Sequence, residues 1–389
     1  MDTLTSPAMH GRGYVNDGDK IAAEYIGNEF FKHGLFKFGE SFFQPFEIPI
    51  NTFPDTVEVY IDGNKLVPGK DFVVFCSSPS VFGTYELAWA IADSSGNYPD
   101  STSDFTGKVV ITDKSHKEFE KENSFKSAGV IFLMKDKVWW HVSNGKEVKD
   151  YFQLQVLQDK IPVSAKSITI KVRSHFAEHY PTQNVIGYIP GKTEPDSFFV
   201  CTAHYDHLGR MGSDTYFPGA NDNASGTAML LDLAAYFSEP ENQPDISIAF
   251  MAFSAEEVGL MGSNYYVSNP LFPLNKIQFL INLDMVGSGS QGIKVVNGTV
   301  FKSEFEKLVK INSGNEYILK VSERGESPNS DHHPFYAAGV PCFFIYTLGD
   351  ECKEYHNIFD VSENVPLTEY KDVFRLLVDF QKQLNKKLK

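Results

Sequence analysis

The chain has 389 residues, of which 42% are hydrophobic, and this length favours two structural units with a sizeable buried core. Its 35 basic and 50 acidic residues give a net charge of −15 at pH 7. This charge argues against a general nucleic-acid-binding protein and against a protein that binds anionic membranes.

The first part of the chain changes from a helical to a strand-rich pattern. Residues 17–35 have the apolar spacing of a helix, which ends near Gly34. From about residue 55, alternating or apolar runs are separated by Gly, Asp and Asn, which predicts short strands at 56–67, 71–78 and 107–114. This region contains no cluster of catalytic residue types. We therefore expect a β-rich domain at 55–162, inserted between residues 1–54 and 163–389.

After residue 162, predicted strands alternate with predicted helices. The strands are expected at 167–172, 184–190, 197–204, 246–253, 277–286 and 340–346, and the helices at 225–239, 257–268, 303–314 and 368–387. Such alternation indicates an α/β fold with a mostly parallel central sheet that is covered by helices on both faces. No apolar stretch approaches the roughly 18 residues of a membrane span.

Acidic and histidine side chains recur at the ends of these strands or just ahead of a helix. The positions are His204, Asp206 and His207 in FFVCTAHYDHLG, Asp222 in PGANDNASG, Glu256 and Glu257 in FSAEEVGL, Asp284 in INLDMV, and His356 in KEYHNIF. The carboxyl ends of parallel strands meet at one edge of a sheet, where ligands bind in open α/β folds. The recurrence therefore predicts one shared site.

The adjacent residues Glu256 and Glu257 follow an almost wholly apolar run, Ile246 to Phe253. One interpretation is a solvated helix N-terminus, where acidic residues are favoured. The other is a buried site, in which two like charges need protons or a cation to coexist. The neighbouring histidines and aspartates favour the second interpretation, because imidazole and carboxylate ligands without thiolate suit zinc or a similar metal.

One histidine and about two carboxylates per metal, with one carboxylate shared, would form a two-metal site. Metals in such sites lie roughly 3.5–4 Å apart and lower the pKa of a bridging water towards ~7. One of the two glutamates would then bind a metal. The other would take a proton from the attacking water and pass it to the leaving group.

In the order HYDH, GANDNASG, AEE, NLDM and YH, these segments resemble the di-zinc aminopeptidase family. That family includes secreted bacterial leucyl aminopeptidases and aminopeptidase Y, and it is related to glutamate carboxypeptidase II. The resemblance covers residues 165–389 and the N-terminal helix. It implies the phosphorylase/hydrolase-like zinc exopeptidase fold, two zinc ions per chain, and hydrolysis of a peptide with a free N-terminus by a metal-bridging hydroxide.

The resemblance also implies a role for each matching residue. His204 and Asp284 would bind one metal, Glu257 and His356 the other, and Asp222 would bridge the two. The catalytic residues would be Glu256 as general base and then general acid, Asp206 as the group that orients the His204 imidazole, and Tyr355 as a donor to the oxyanion.

The remaining histidines are assigned no catalytic role. Asp331 and His332 match the family segment SDH-x-PF, although the match leaves their role open. His207 and His333 are not expected to be ligands. The others are expected to be surface or packing residues: His10, His33, His116, His141, His175 and His179.

The β-rich region at 55–162 resembles the protease-associated domain that is often inserted in this family. FTGKVVITDKS and KSAGVIFLM match its order of strand and helix. In the family, this domain caps or narrows the cleft and does no chemistry. We expect the same here.

Other functions on the same scaffold stay open. A glutaminyl cyclase shares the fold but uses a single zinc in a transferase reaction. A carboxypeptidase or dipeptidase would need basic residues for a substrate carboxylate, and Arg210 and Arg324 lie near the motif segments. A non-enzymatic ectodomain usually lacks the metal ligands, whereas here all five positions are intact.

Two features bear on the cellular environment. The N-terminal segment MDTLTSPAMHGRGY lacks the basic and then apolar pattern of a signal peptide, so either the protein is cytoplasmic or a leader has been removed. Of these, we expect an extracytoplasmic location, periplasmic or secreted. The four cysteines form no C-x-x-C pair, which excludes a typical thiolate zinc site, and a bond between Cys342 and Cys352 stays open.

Overall fold

The computed structural model describes residues 1–92, 98, 104–116 and 126–385. Within these ranges, the strands form two eight-stranded sheets and one two-stranded hairpin. The helices are α1 Asp2–Thr5, α2 Gly18–Lys32, α3 Ser225–Ser238, α4 Met261–Ser268, α5 Lys302–Asn315, α6 His332–Ala337 and α7 Tyr370–Asn385. Short 3-10 turns lie at Pro7–Arg12, Ser143–Lys146, Gln158–Lys160, Leu274–Lys276 and Ser362–Asn364.

The strands are numbered in chain order. They are β1 Phe43–Thr52, β2 Val57–Ile61, β3 Asn64–Lys65, β4 Phe72–Val74, β5 Val81–Trp89, β6 Val109–Thr112, β7 Gly129–Met134, β8 Phe152–Leu157, β9 Ser167–Val172, β10 His175–Ile189, β11 Glu194–His204, β12 Gly209–Met211, β13 Thr215–Phe217, β14 Ile246–Phe253, β15 Ile277–Leu283, β16 Gly292–Val296, β17 Val321–Glu323 and β18 Cys342–Leu348.

The first sheet has the strand order β1-β10-β14-β11-β15-β18-β16-β17. Its four central strands, β14, β11, β15 and β18, are parallel, whereas β1, β10 and β16 pair in antiparallel fashion towards the edges. The predicted α/β class with a mostly parallel centre is therefore confirmed. The parallel centre matters for function because it brings four strand ends to one edge of the sheet.

Helices cover both faces of this sheet, as predicted. Residues of β14 alternate between two apolar clusters: Ile248 and Phe250 belong to one, and Met251 and Phe253 to the other. Helices α2, α3, α5 and α7 contribute to the first cluster, and α4 and α6 to the second. Because successive side chains of a strand point to opposite faces, a strand buried on both faces is apolar throughout. This explains the unbroken apolar run at 246–253.

Strand β1 was not predicted from the sequence. It occupies the edge of the first sheet beside β10, and its residues alternate between exposed and buried. Pro45 and Pro49 are tolerated there because an edge strand can leave one row of backbone groups unpaired.

The second sheet has the order β3-β2-β9-β5-β6-β7-β8-β4. Its apolar residues belong to a buried cluster that also includes Ile48 of β1 and Val258, next to Glu257. Its strands run from Val57 to Val172, so the boundary expected at residue 162 cuts through this sheet. Strand β9 was predicted as the first strand of the α/β part, yet it pairs with β2 and β5. Its alternating pattern is compatible with either sheet, and only the pairing decides between them.

Two further expectations can be compared with the structure. Among the described residues, no helix combines the length and the apolar composition needed to cross a bilayer. Cys76, Cys201, Cys342 and Cys352 are all free thiols, so Cys342 and Cys352 do not form a disulfide here.

Candidate metal centre

Four predicted ligands follow the four central strands. Glu257 comes after β14, His204 ends β11, Asp284 comes directly after β15, and His356 lies in the loop after β18. All four side chains are buried. The convergence predicted from the sequence is therefore present, and its cause is the parallel arrangement of these strands.

The fifth predicted ligand, Asp222, lies between the two histidines. It belongs to the turn Ala220–Ala224, which directly precedes α3. Its Oδ1 lies 3.4 Å from Nε2 of His204, and its Oδ2 lies 3.0 Å from Nε2 of His356. Oδ1 of Asp284 is 3.4 Å from the same nitrogen of His204, and Oε2 of Glu257 is 3.2 Å from that of His356. The carboxylate of Asp222 thus lies between two pairs of side chains. One pair is His204 with Asp284, and the other is His356 with Glu257.

His207 lies closer to this centre than expected. Its Nδ1 is 2.8 Å from Oε1 of Glu257, and together with Asp222 and Glu257 it forms a group that could hold a metal ion. His356 is the better placed of the two imidazoles, because its Nε2 contacts both Asp222 and Glu257. The ion pair of His207 is with Oε1 of Glu257, the oxygen that does not face His356, and this contact orients the carboxylate.

Glu256 and Glu257 lie in a turn and not at the start of a helix. The predicted helix from 257 begins only at Met261, because Ala255 and Leu260 adopt left-handed backbone conformations with φ of 58°. Glu257 is buried and Glu256 is half-buried, so the interpretation as a solvated helix N-terminus is wrong. Left-handed conformations of non-glycine residues are costly, and they concentrate at functional sites.

Asp206 supports this turn. Its carboxylate accepts hydrogen bonds from the backbone N–H groups of Glu256 and Glu257, at 3.1 and 3.3 Å, and from the Tyr14 hydroxyl at 3.1 Å. The contact with Nδ1 of His204 is closer through the backbone oxygen of Asp206, at 3.2 Å, than through its carboxylate, at 3.8 Å. The Asp206 carboxylate faces away from His204 because it accepts the hydrogen bonds from the backbone of Glu256 and Glu257.

Two residues that the sequence analysis missed hold the Asp222 turn. Asp360 accepts hydrogen bonds from the backbone N–H groups of Asn221 and Asp222. Arg12 is fully buried, and its guanidinium donates to the carbonyl of Gly219 at 2.7 Å. Arg12 precedes every strand of the first sheet, and Asp360 lies in the same loop as His356 but 12 residues beyond the end of β18, so neither lies directly at a strand end, where the sequence pattern pointed.

Asp284 is oriented by a chain of buried hydroxyl and amide groups. The Ser330 hydroxyl donates to Oδ2 of Asp284 at 2.7 Å, and the Asn282 amide donates to Ser330 at 2.8 Å. The neighbouring residues Asp331 and His332, whose role the sequence left open, are both buried beside this chain. Burial raises the pKa of the Asp331 carboxyl to about 6.

Tyr355 and His141 flank the ring of His356. Tyr355 stacks on that ring with centroids 3.8 Å apart, and 42% of its surface is exposed. Nδ1 of His141 lies 3.0 Å from Nδ1 of His356. The expectation that His141 is an ordinary surface or packing residue is therefore wrong. A single histidine directly after two tryptophans, WWH, gives no periodic signal that could have revealed this contact.

The electrostatics of the cluster are those of carboxylates that need a cation. Burial opposes charge on Asp222, but hydrogen bonds from His204 and His356 hold the pKa of its carboxyl well below the ordinary value. Burial also opposes charge on His356, but Glu257 and Asp222 raise the pKa of this imidazole to about 11. Glu256 differs, because burial and then Glu257 raise the pKa of its carboxyl well above the ordinary value.

The residues present fit a metal centre. Imidazole nitrogens and carboxylate oxygens are zinc ligands, and metal binding displaces protons from such ligands. In the structure, the ion pairs of Asp222, Asp284 and Glu257 are with histidine nitrogens, so the protons on these imidazoles take the place that a divalent cation would fill. Glu256 also groups closely with His204 and Asp284.

Comparison with known proteins agrees with this geometry. The family model described as Peptidase family M28 matches residues 184–381, which is half of the chain and includes all five predicted ligands. The chain belongs to peptidase family M28. The predicted resemblance to the di-zinc aminopeptidases is thereby confirmed at the level of the family.

Among curated relatives, aminopeptidase YwaD of Bacillus subtilis is 29% identical over 264 residues, which cover 63% of this chain and 54% of that protein. Leupeptin-inactivating enzyme 1 of Streptomyces exfoliatus is 33% identical over 172 residues, covering 44% of this chain and 37% of that protein. The chain therefore spans about half the length, or less, of these two relatives.

Solved structures show the same fold along the whole chain. The structure of BSAP, a zinc aminopeptidase from Bacillus subtilis, superposes with a TM-score of 0.76 at 22% identity and covers 100% of this chain and 94% of that chain. An aminopeptidase from Aneurinibacillus sp. strain AM-1 has a TM-score of 0.66 at 21% identity, covering 98% and 92%. The match extends through the second sheet as well as the first.

Proposed function

We propose that this chain is a metallo-aminopeptidase that holds two zinc ions and removes N-terminal residues from peptides. His204 and Asp284 would hold one ion, Glu257 and His356 the other, and Asp222 both. The observation that supports this best is the carboxylate of Asp222, which presents one oxygen to each histidine. Membership of a peptidase family and the aminopeptidase names of YwaD and BSAP point to the same class of reaction.

When bound, the two ions would polarise the scissile carbonyl and lower the pKa of water towards ~7. Glu256 would take the proton from the attacking water and deliver it to the leaving amine. Its carboxyl is suited to this exchange because burial raises its pKa, and its backbone is held by the hydrogen bond to Asp206. Glu256 would thus be the general base and then the general acid.

Tyr355 would donate a hydrogen bond to the oxyanion of the tetrahedral intermediate. Burial and the nearby carboxylates, Asp222 first among them, raise the pKa of its phenol, so the hydroxyl keeps the proton that it must donate. The acidic surroundings would also attract the free α-ammonium group of a peptide substrate. This attraction favours an exopeptidase that acts at the N-terminus.

The placement of two arginines gives no support to a carboxypeptidase. Arg324 contacts the Tyr346 hydroxyl at 3.2 Å and the Ser327 hydroxyl at 3.3 Å. Arg210 contacts the backbone oxygen of Ser213 and Nδ1 of His10. A substrate carboxylate would need one of these guanidinium groups to face the metal ligands.

The first test is zinc content by elemental analysis, together with a panel of aminoacyl-p-nitroanilides before and after chelation. We expect about two zinc ions per chain, and release of p-nitroaniline that is lost on chelation and restored by Zn²⁺. One zinc ion with formation of pyroglutamate would instead identify a glutaminyl cyclase. Absence of both zinc and activity would refute an enzymatic function.

The second test is the variant Glu256→Gln, which keeps the size of the side chain but removes its capacity to accept a proton. We expect kcat to fall about 10²- to 10⁴-fold while two zinc ions are retained. Glu363→Gln, at an exposed position, is the matched control and should keep wild-type activity. Normal hydrolysis by Glu256→Gln would refute the role of Glu256.

Two broader features belong to the same proposal. The β-rich region would be a protease-associated-like domain that narrows the cleft, and the hydrogen bond from the Trp140 N–H to the carbonyl of His356, at 3.0 Å, supports such an arrangement. The location would be extracytoplasmic, which fractionation of the source cells followed by the p-nitroanilide assay would test.

A further inference from the structure

The segment Lys137–His141 belongs to the part of the chain that forms the second sheet, between β7 and β8, yet it lies along the loop of His356. Lys137 forms an ion pair of 2.8 Å with Glu354. The backbone N–H of Trp140 donates to the carbonyl of His356 at 3.0 Å. Nδ1 of His141 lies 3.0 Å from Nδ1 of His356. Both the backbone and the side chain of one candidate ligand are thus contacted from the other sheet.

This segment is anchored by the interior of the second sheet. Trp140 is buried, its indole N–H donates to the carbonyl of Val74 at 2.7 Å, and its ring packs against Phe217 with centroids 4.7 Å apart. Val138 is also buried in the same apolar cluster. His141 therefore projects from a fixed frame, although His141 itself is exposed.

The positions of the protons follow from the geometry of His356. Its Nε2 faces Asp222 and Glu257, so this nitrogen is the one that would bind a metal. A neutral imidazole that binds through Nε2 carries its proton on Nδ1. That proton points at Nδ1 of His141, which must therefore accept it and keep its own proton on Nε2. A hydrogen bond of this kind fixes the tautomer and the ring orientation of a metal ligand.

The other candidate ligand is oriented in a different way. Nδ1 of His204 lies 3.2 Å from the backbone oxygen of Asp206, within the first sheet. The first metal position is thus complete within the α/β part of the chain. Among the residues that the structure describes, a side chain from the region of the second sheet contacts the second metal position and not the first.

We propose that His141 is a positioning residue that orients His356, so that the β-rich region completes the second metal position and does more than narrow the cleft. This inference rests on the proposed two-zinc site. It predicts that loss of the His141 acceptor weakens zinc binding at the position of His356 and leaves zinc binding at the position of His204 unchanged.

The test compares His141→Phe, which keeps a ring but offers no acceptor, with His141→Asn, whose amide oxygen can take the place of Nδ1. Zinc-free wild type and variants are titrated with Zn²⁺ in competition with a chromophoric chelator. For His141→Phe, we expect one of the two sites to bind about 10- to 100-fold more weakly. His141→Asn should restore most of that affinity, which a merely structural role for the ring would not predict.

Lys137→Met is the matched control, because it perturbs the contact between the Lys137–His141 segment and the His356 loop at a different side chain. It removes the ion pair with Glu354 but leaves the His141 acceptor in place, so both zinc affinities should match those of the wild type. Wild-type affinity at both sites of His141→Phe would overturn the inference, as would an equal loss in Lys137→Met. A wild-type protein that binds no zinc would instead overturn the proposed function itself, and the inference with it.

Discussion

The substitution Arg12→Met removes a buried guanidinium that holds the N-terminal segment against the turn of a candidate metal ligand. Arg12 is 0% exposed and donates to four carbonyl oxygens at 2.6 to 2.9 Å. These oxygens belong to Leu4, Tyr205, Pro218 and Gly219. Burial lowers the pKa of Arg12 to about 10, so the guanidinium stays charged at neutral pH. Methionine has a stem of similar length but no donor.

The expected loss can be worked out from these four contacts. A buried acceptor left without its donor costs ~1–3 kcal/mol. Taking the lower end for each carbonyl, Arg12→Met should reduce the free energy of unfolding by about 4 kcal/mol. Since most proteins are stable by only ~5–15 kcal/mol, this is a large fraction of the total. The loss should also loosen the turn that contains Asp222 and thereby weaken zinc binding.

The measurement is urea unfolding of the zinc-free protein, followed by far-ultraviolet circular dichroism. Arg375→Met is the control, because Arg375 forms a partly exposed pair with Asp372, three residues away in α7, and such helix pairs contribute only ~0.2–0.5 kcal/mol. Arg12→Lys, which keeps the charge but offers fewer donors in a different geometry, should fall between Arg12→Met and the wild type. A loss below about 1 kcal/mol in Arg12→Met would refute the reasoning.

Three further predictions concern hydrogen bonds around the site and on the surface. Ser330→Ala removes the hydroxyl that donates to Asp284, so the zinc ion at His204 should bind about 10-fold more weakly. Competition with a chelator measures this affinity, and an unchanged zinc affinity would contradict the prediction. Tyr14→Phe removes the buried donor to Asp206 and should lower the free energy of urea unfolding by ~1–3 kcal/mol, whereas a loss under about 0.5 would contradict it. Burial opposes charge on Glu351, but a serine hydroxyl and backbone N–H groups lower the pKa of its carboxyl from 4.5 to about 2. The stabilising contribution of the Glu351 carboxylate is therefore present above pH 4.5 and lost as the pH falls towards 2. The loss of unfolding free energy caused by Glu351→Gln should accordingly be smaller at pH 3 than at pH 5. A loss that does not change with pH would count against this explanation.

The sequence by itself determined the α/β class and brought together eight candidate site positions, from which the resemblance to a known family selected the five candidate ligands. Both follow from local patterns: a strand that is buried on both faces is apolar throughout, and side chains just beyond such strands meet at one edge of a parallel sheet. His204, Glu257 and Asp284 could be found in this way because each lies at or just after the end of a predicted strand.

The same local patterns failed where a backbone conformation or a sheet partner decided the outcome. Residues 257–260 were predicted as helix, but the left-handed conformations of Ala255 and Leu260 delay α4 to Met261. Strand β9 was predicted correctly as a strand and assigned to the wrong part of the chain. Its alternation of side chains fits either sheet, because period 2 defines a strand but not its neighbours.

Only the tertiary structure revealed the contacts that Arg12 and His141 make at the site. Arg12 contacts the carbonyl of Tyr205, 193 residues away, and His141 contacts His356 across 215 residues. A single polar contact between distant segments leaves no periodicity in either segment. It exists only because the strand order of the first sheet and the packing of the second bring those segments together.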